Sequence, residues 1–154
     1  MYRLIGSLHT LGGLPASIAE FLRALDSLRK SIASRAGLTV DELRVMAVIA
    51  ETDRATSGGL GASLDLTETF VAQVAGGLSE RGFIAAIPSK SERGRGAFEL
   101  TERGHSTMEA AYRSFQGSLT AAARPLELSD ELAMIRSITL MTALLHSADP
   151  KSSL

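Results

Sequence analysis

The chain contains no cysteine, which excludes disulfides, thiolate metal sites and thiol-based redox sensing. It has no apolar run approaching the ~18–20 residues that a helix needs to cross a bilayer. Within residues 1–30, Arg23, Asp26, Arg29 and Lys30 fall in a helical pattern that is not the layout of a signal peptide. These absences together point to the cytoplasm. Neither sign of charge is in real excess: 16 basic and 17 acidic residues leave a net charge of −1. Any affinity for a polyanion must therefore come from a local patch. Also missing are a Gly-x-Ser-x-Gly nucleophile turn, a phosphate loop and a dinucleotide fingerprint, so neither an enzyme nor a cofactor is expected. The histidines His9, His105 and His146 are far apart. His105 with Glu109, or His146 near Asp149, falls short of the usual ligand count, and no metal site is expected. There are no internal repeats and no low-complexity tract.

What is present is ordinary for a globular domain. The 154 residues are 45% hydrophobic and 21% charged, enough for one domain, 1–154, with a substantial core. Leu4, Ile5, Leu8 and Leu11 suggest a short first helix ended by Gly12-Gly13. Pro15 suits the first turn of the next helix. That helix carries the stripe Phe21, Leu25, Leu28 and Ile32, widened by Ile18 and Leu22, and closes at Gly37. Thr39 and Glu42 make a capping box. The helix they start is apolar almost all round (Leu43, Val45, Met46, Val48, Ile49) and should lie centrally. Residues 52–59 read as a polar loop with room for a short strand.

The chain is organised around Leu60–Gly104. A short helix over 57–64, interrupted by Gly58, Gly59 and Gly61, leads through a turn at Asp65-Leu66 to a second helix over Thr67–Arg81. One face of that helix carries Thr67, Val71, Val74 and Leu78, flanked by Phe70, at core spacing. The opposite face carries Glu68, Thr69, Ala72, Gln73 and Gly76. Gly82 stops the helix, and Phe83–Ile87 can pair with Ala97–Leu100. Between Ile87 and Phe98, three cations (Lys90, Arg93, Arg95) stand against Glu92 alone. A helix pair followed at once by a basic-tipped hairpin is the winged form of the helix-turn-helix, a DNA-reading device.

After the hairpin, Thr101 is an N-cap candidate. Met108, Tyr112, Phe115, Leu119 and Ala122 then form a seam for helix packing until Pro125 breaks it. Ser129 is the expected cap of a last helix, with Asp130 and Glu131 favouring its dipole and Met134, Ile138, Met141 and Leu145 as its stripe. The fold class is thus mainly α. It is a winged helix-turn-helix with a small β-hairpin wing and long N- and C-terminal helices suited to dimerisation. Residues 38–101 would form the DNA-binding lobe, with 1–37 and 102–148 the helical dimerisation region.

Four segments at this spacing resemble the MarR family of multiple-antibiotic-resistance-type regulators. Leu66-Thr67-Glu68-Thr69-Phe70-Val71 is similar to the family's opening of the recognition helix, and Leu78-Ser79-Glu80-Arg81-Gly82-Phe83-Ile84 to its exit. Glu92-Arg93-Gly94 sits where the wing's Asp-Arg-Arg belongs, and Leu100-Thr101-Glu102-Arg103-Gly104 matches Leu-Thr-x-x-Gly. The resemblance implies a ligand-responsive transcription regulator, usually a repressor, binding a pseudo-palindromic operator as a homodimer. It also implies a small aromatic effector seated between the DNA-binding lobe and the dimerisation helices. The DNA-binding residues expected are Thr67, Thr69, Phe70 and Gln73 on the helix and Lys90, Arg93 and Arg95 on the wing. Gln73 stands where many members have arginine, Ala72 where they have serine or threonine, and Gly94 where they have the second wing arginine. A winged-helix dimer that has lost DNA reading, and works as a protein-interaction or ligand-binding module, is the alternative.

Overall fold

The computed structural model describes residues 13–88 and 96–148; the helix expected over residues 1–12 lies outside them. The first described helix, α1, is Leu14–Arg35. It ends as the glycine predicts: Gly37 takes φ +66°, and the Leu38 N–H reaches back to the Ala33 carbonyl at 2.8 Å. Helix α2, Val40–Thr52, opens on the expected capping box. The Glu42 N–H donates to Thr39 Oγ1 (3.2 Å), and the Thr39 N–H donates to Glu42 Oε2 (2.8 Å). Its near-continuous apolar surface makes it the central helix, with Val45, Met46 and Ile49 fully buried.

The short strand that the sequence allowed exists as β1, Ala55–Thr56. Thr56 then caps α3, Ser57–Leu64, accepting from the Gly59 N–H at 3.1 Å. Asp65 adopts a left-handed conformation (φ 55°), which turns the chain into α4, Glu68–Glu80. Thr67, expected on the core face, is instead the exposed N-cap of α4, its hydroxyl accepting from the Phe70 N–H at 3.3 Å. The buried stripe is Val71, Ala75 and Leu78. Strand β2, Ile84–Ile87, pairs antiparallel with β3, Ala97–Leu100, and β1 lies on the other side of β3. In register, Ile84 faces Leu100, Ile87 faces Ala97, and Ala55 faces Phe98.

One core unites these elements: Val45, Met46 and Ile49 from α2, Leu60 from α3, the α4 stripe, and Phe83, Ile84 and Leu100 from the wing base. Ala33 of α1 joins it. Each large side chain so buried contributes roughly 1.5–3 kcal/mol, which fixes the helix pair rigidly beneath its exposed face.

The last two helices are α5, Glu102–Ala123, and α6, Leu128–Ala148. Contacts divide the chain into two compact units between Phe115 and Gln116. Helix α6 starts two residues earlier than expected. The Asp130 and Glu131 N–H groups both donate to the Glu127 carbonyl at 3.0 Å, so Ser129 lies inside the first turn and is not the cap. Among the described residues no helix is long and apolar enough to cross a membrane.

Candidate nucleic-acid interface

Helix α4 turns its polar side outward because its apolar side is held by α2 and α3. Glu68, Thr69, Ala72, Gln73 and Gly76 are all exposed, as the helical spacing requires. Phe70 is 37% exposed and stands clear of the core. Thr67, Thr69, Phe70 and Gln73 therefore share the first two turns of α4. A groove of about 530 Å³ runs beside them. Its walls are Glu68, Thr69 and Ala72 from α4, Ser57 from α3, and Ala86, Ala97 and Phe98 from the wing strands. Thr69 thus lies in the groove with the wing, while Gln73 lies one turn further along the same helix. Lys90, Arg93 and Arg95 fall between β2 and β3 and lie outside the described residues.

Ser57, Ala86 and Phe98 were not anticipated as part of this surface. Small or apolar residues at strand and helix ends carry no chemical signature in a sequence. Ala86 and Phe98 are cross-strand partners, and that register brings them together.

The joint between α4 and the wing is held by more polar contacts than the sequence discloses. Gly82 takes φ +72°, the left-handed conformation that ends α4. Three successive carbonyls around it are then clamped from the start of α5. Arg103 Nη1 donates to the Arg81 carbonyl at 2.8 Å. Thr101 Oγ1 lies 2.7 Å from the Gly82 carbonyl and 3.1 Å from that of Phe83, while the Thr101 N–H also donates to Phe83 at 3.0 Å. The same hydroxyl accepts from the Gly104 N–H at 3.1 Å, the capping role expected of Thr101. Arg81 ties the other end down, bonding Glu42 Oε1 at 3.0 Å and the Gly37 carbonyl at 2.5 Å. The guanidinium carbons of Arg81 and Arg103 lie 4.9 and 4.5 Å from the centroid of the Phe83 ring.

Thr101→Val keeps the shape and deletes the hydroxyl. It should cost roughly 1–3 kcal/mol, the range for losing a helix cap and leaving its partners short of a bond. Urea unfolding measures this, and an unchanged midpoint would contradict the clamp.

Behind this joint lies a second cleft, of about 390 Å³, between the end of α1 and the first half of α5. Arg35 and Arg103 line it, with Ser106 and Thr107 and an apolar wall of Ile32 and Ala111. Among the described residues no carboxylate lines it.

No protein-family model and no curated protein matches the sequence. Solved structures do match in three dimensions. A MarR family protein from Bacillus stearothermophilus has 14% identity and a TM-score of 0.77, covering 94% of this chain and 97% of its own. A substituted form of MarR from E. coli has 17% identity and a TM-score of 0.73 (86% and 98% covered). A substituted form of MepR from S. aureus has 15% identity and a TM-score of 0.77 (87% and 99% covered). The chain has the MarR-type winged-helix fold. The agreement over nearly the full length of each chain extends the resemblance beyond the four motifs to the order of all the elements.

Proposed function

We propose that the protein is a dimeric, DNA-binding transcription regulator of the MarR type, a repressor that works in the cytoplasm and releases its operator when a small organic anion binds. The observation that carries this reading is the exposed first two turns of α4, rigidly backed by the core and flanked by the wing. Such a helix fits a major groove, where Gln73 can bond adenine through two hydrogen bonds and Thr69 can reach a base or a phosphate. The wing arginines Arg93 and Arg95, with Lys90, suit the backbone or a narrow minor groove. Charge is concentrated in the wing and the helix face is sparse, so backbone contacts carry much of the affinity. The fold shared with MarR and MepR supports the same reading.

The cleft between α1 and α5 is the seat proposed for the effector. Two arginines, three hydroxyl side chains and an apolar wall match a small aromatic carboxylate or phenolate.

Selection of bound duplexes from a random pool tests the central claim. A pseudo-palindrome should emerge, and its affinity should fall steeply with salt as counterions are released. Arg93→Ala with Arg95→Ala should weaken binding to every duplex by roughly tenfold or more at physiological salt. Gln73→Ala should instead change the preference among duplexes. The rival reading, a winged-helix dimer that no longer reads DNA, is favoured by Glu68, Ala72 and Gly76 on the outward face. Failure to retain any duplex at low salt would establish it.

A further inference from the structure

Among the described residues, Arg103 is the one that belongs both to the α1–α5 cleft and to the joint between the recognition helix and the wing. Its side chain does three things at once. It lines the cleft, its guanidinium bonds the carbonyl of Arg81, the C-cap of the recognition helix, at 2.8 Å, and that guanidinium stacks on Phe83 at the wing base. Arg35 shares the cleft without any bond to that joint among the described residues. We propose that Arg103 is a positioning residue: it holds the angle between the recognition helix and the wing, and an anion entering the cleft acts by drawing this guanidinium off the Arg81 carbonyl.

The competition is chemically favourable. A carboxylate offers arginine a bidentate, fully charged partner, stronger than a neutral carbonyl. Losing Arg103 leaves the Arg81 carbonyl without that donor and removes one of the two cations on Phe83. Thr101 alone then clamps the joint from α5. The distance between α4 and the wing need change little for the two to stop fitting one duplex together. The coupling runs both ways, because a duplex that fixes this angle also holds the Arg103 guanidinium on the Arg81 carbonyl.

The inference rests on the effector-responsive reading above, and its test needs no identified effector. Ser106 lies on the cleft wall, one helical turn from Arg103. Ser106→Glu therefore supplies a tethered carboxylate, with Ser106→Gln as its neutral control. Amide hydrogen exchange is read on the intact homodimer at three amides of the joint: Gly82 and Phe83, whose N–H groups close the end of α4 on the Ser79 and Leu78 carbonyls, and Thr101, whose N–H bonds the Phe83 carbonyl. Val45 and Ile49 in the core serve as the check that the fold is intact. S106E should speed exchange at the three joint amides at least tenfold over S106Q and weaken binding to the selected duplex by a similar factor. R103M should do the same alone, and S106E should add nothing in the R103M background, whereas R35M should leave the joint amides unchanged.

Equal joint exchange in S106E and S106Q would overturn the proposal. So would an undiminished effect of S106E without Arg103, or faster joint exchange with unaltered DNA affinity. If the unsubstituted protein binds no duplex, the regulator reading fails, and the exchange measurements still decide what Arg103 holds.

Discussion

Gly104→Ala should destabilise the protein by about 3 kcal/mol or more, lowering Tm by roughly 10 °C. Gly104 is buried in the first turn of α5, against the wing base. A Cβ built there would overlap the Phe83 carbonyl oxygen outright and would lie 3.2 Å from its carbon and 3.3 Å from Leu100 Cβ. That oxygen cannot step aside, because it already accepts from the Thr101 N–H and lies within bonding distance of the Thr101 hydroxyl. Relief requires α5 to back away from the wing, which would break those bonds and the one from Arg103 to the Arg81 carbonyl. Gly76→Ala provides the contrast. Nothing lies within 4 Å of a Cβ at that exposed helical position, so alanine should stabilise α4 by ~0.5–1 kcal/mol. Thermal unfolding of both variants measures the two signs, and a Gly104→Ala midpoint close to that of the unsubstituted protein would refute the close packing.

That contrast marks the boundary of what the sequence discloses. Features with a local chemical cause were legible: the Thr39–Glu42 box, the glycine ends of α1 and α4, and the apolar continuity that buries α2. The wing strands were legible too, because the glycine that stops α4 and the return to alternation bound them closely. Glycine packing was not. Gly61 reads as a weak point in α3, yet the Leu66 carbonyl passes 2.8 Å from where its Cβ would be, so the tight turn depends on it. Nothing in the sequence separates Gly61 from Gly76, and the motif that marks Gly104 does not say what it packs against, since the deciding neighbour comes from another segment. The same holds for the site. Helical spacing was enough to turn Thr69 and Gln73 outward, but Thr67 was misplaced because a residue at core spacing can still be the cap that precedes the helix. The Arg35–Arg103 cleft left no trace, because two arginines distant in the chain meet only once α1 and α5 are packed.

Ile135→Glu combined with Ile138→Glu should convert the protein to a monomer and lower operator affinity a hundredfold or more. Both residues lie on α6 and are about half exposed. Around them Leu128, Leu132, Leu140, Leu144 and Leu145 are all more than half exposed, with Leu128 reaching 71%. A folded monomer rarely leaves so many large apolar side chains of one helix in water. Covering such side chains yields ~25 cal/mol per Å² of apolar surface, and a stable interface buries ~800 Å² per partner. A second copy is the partner proposed, because a two-fold interface sets the same face against itself, and each apolar position then counts twice. Two glutamates per chain would bring four like charges into that seam, each at the cost of its hydration. A dimer also aligns two recognition helices with half-sites about one helical turn apart, so a monomer loses half the contacts and the gain from linking them. Sedimentation gives the mass, and titration of the selected duplex gives the affinity. A doubly substituted protein that remained dimeric would move the interface off α6, and one that became monomeric yet bound the full operator unchanged would show that a single winged helix suffices.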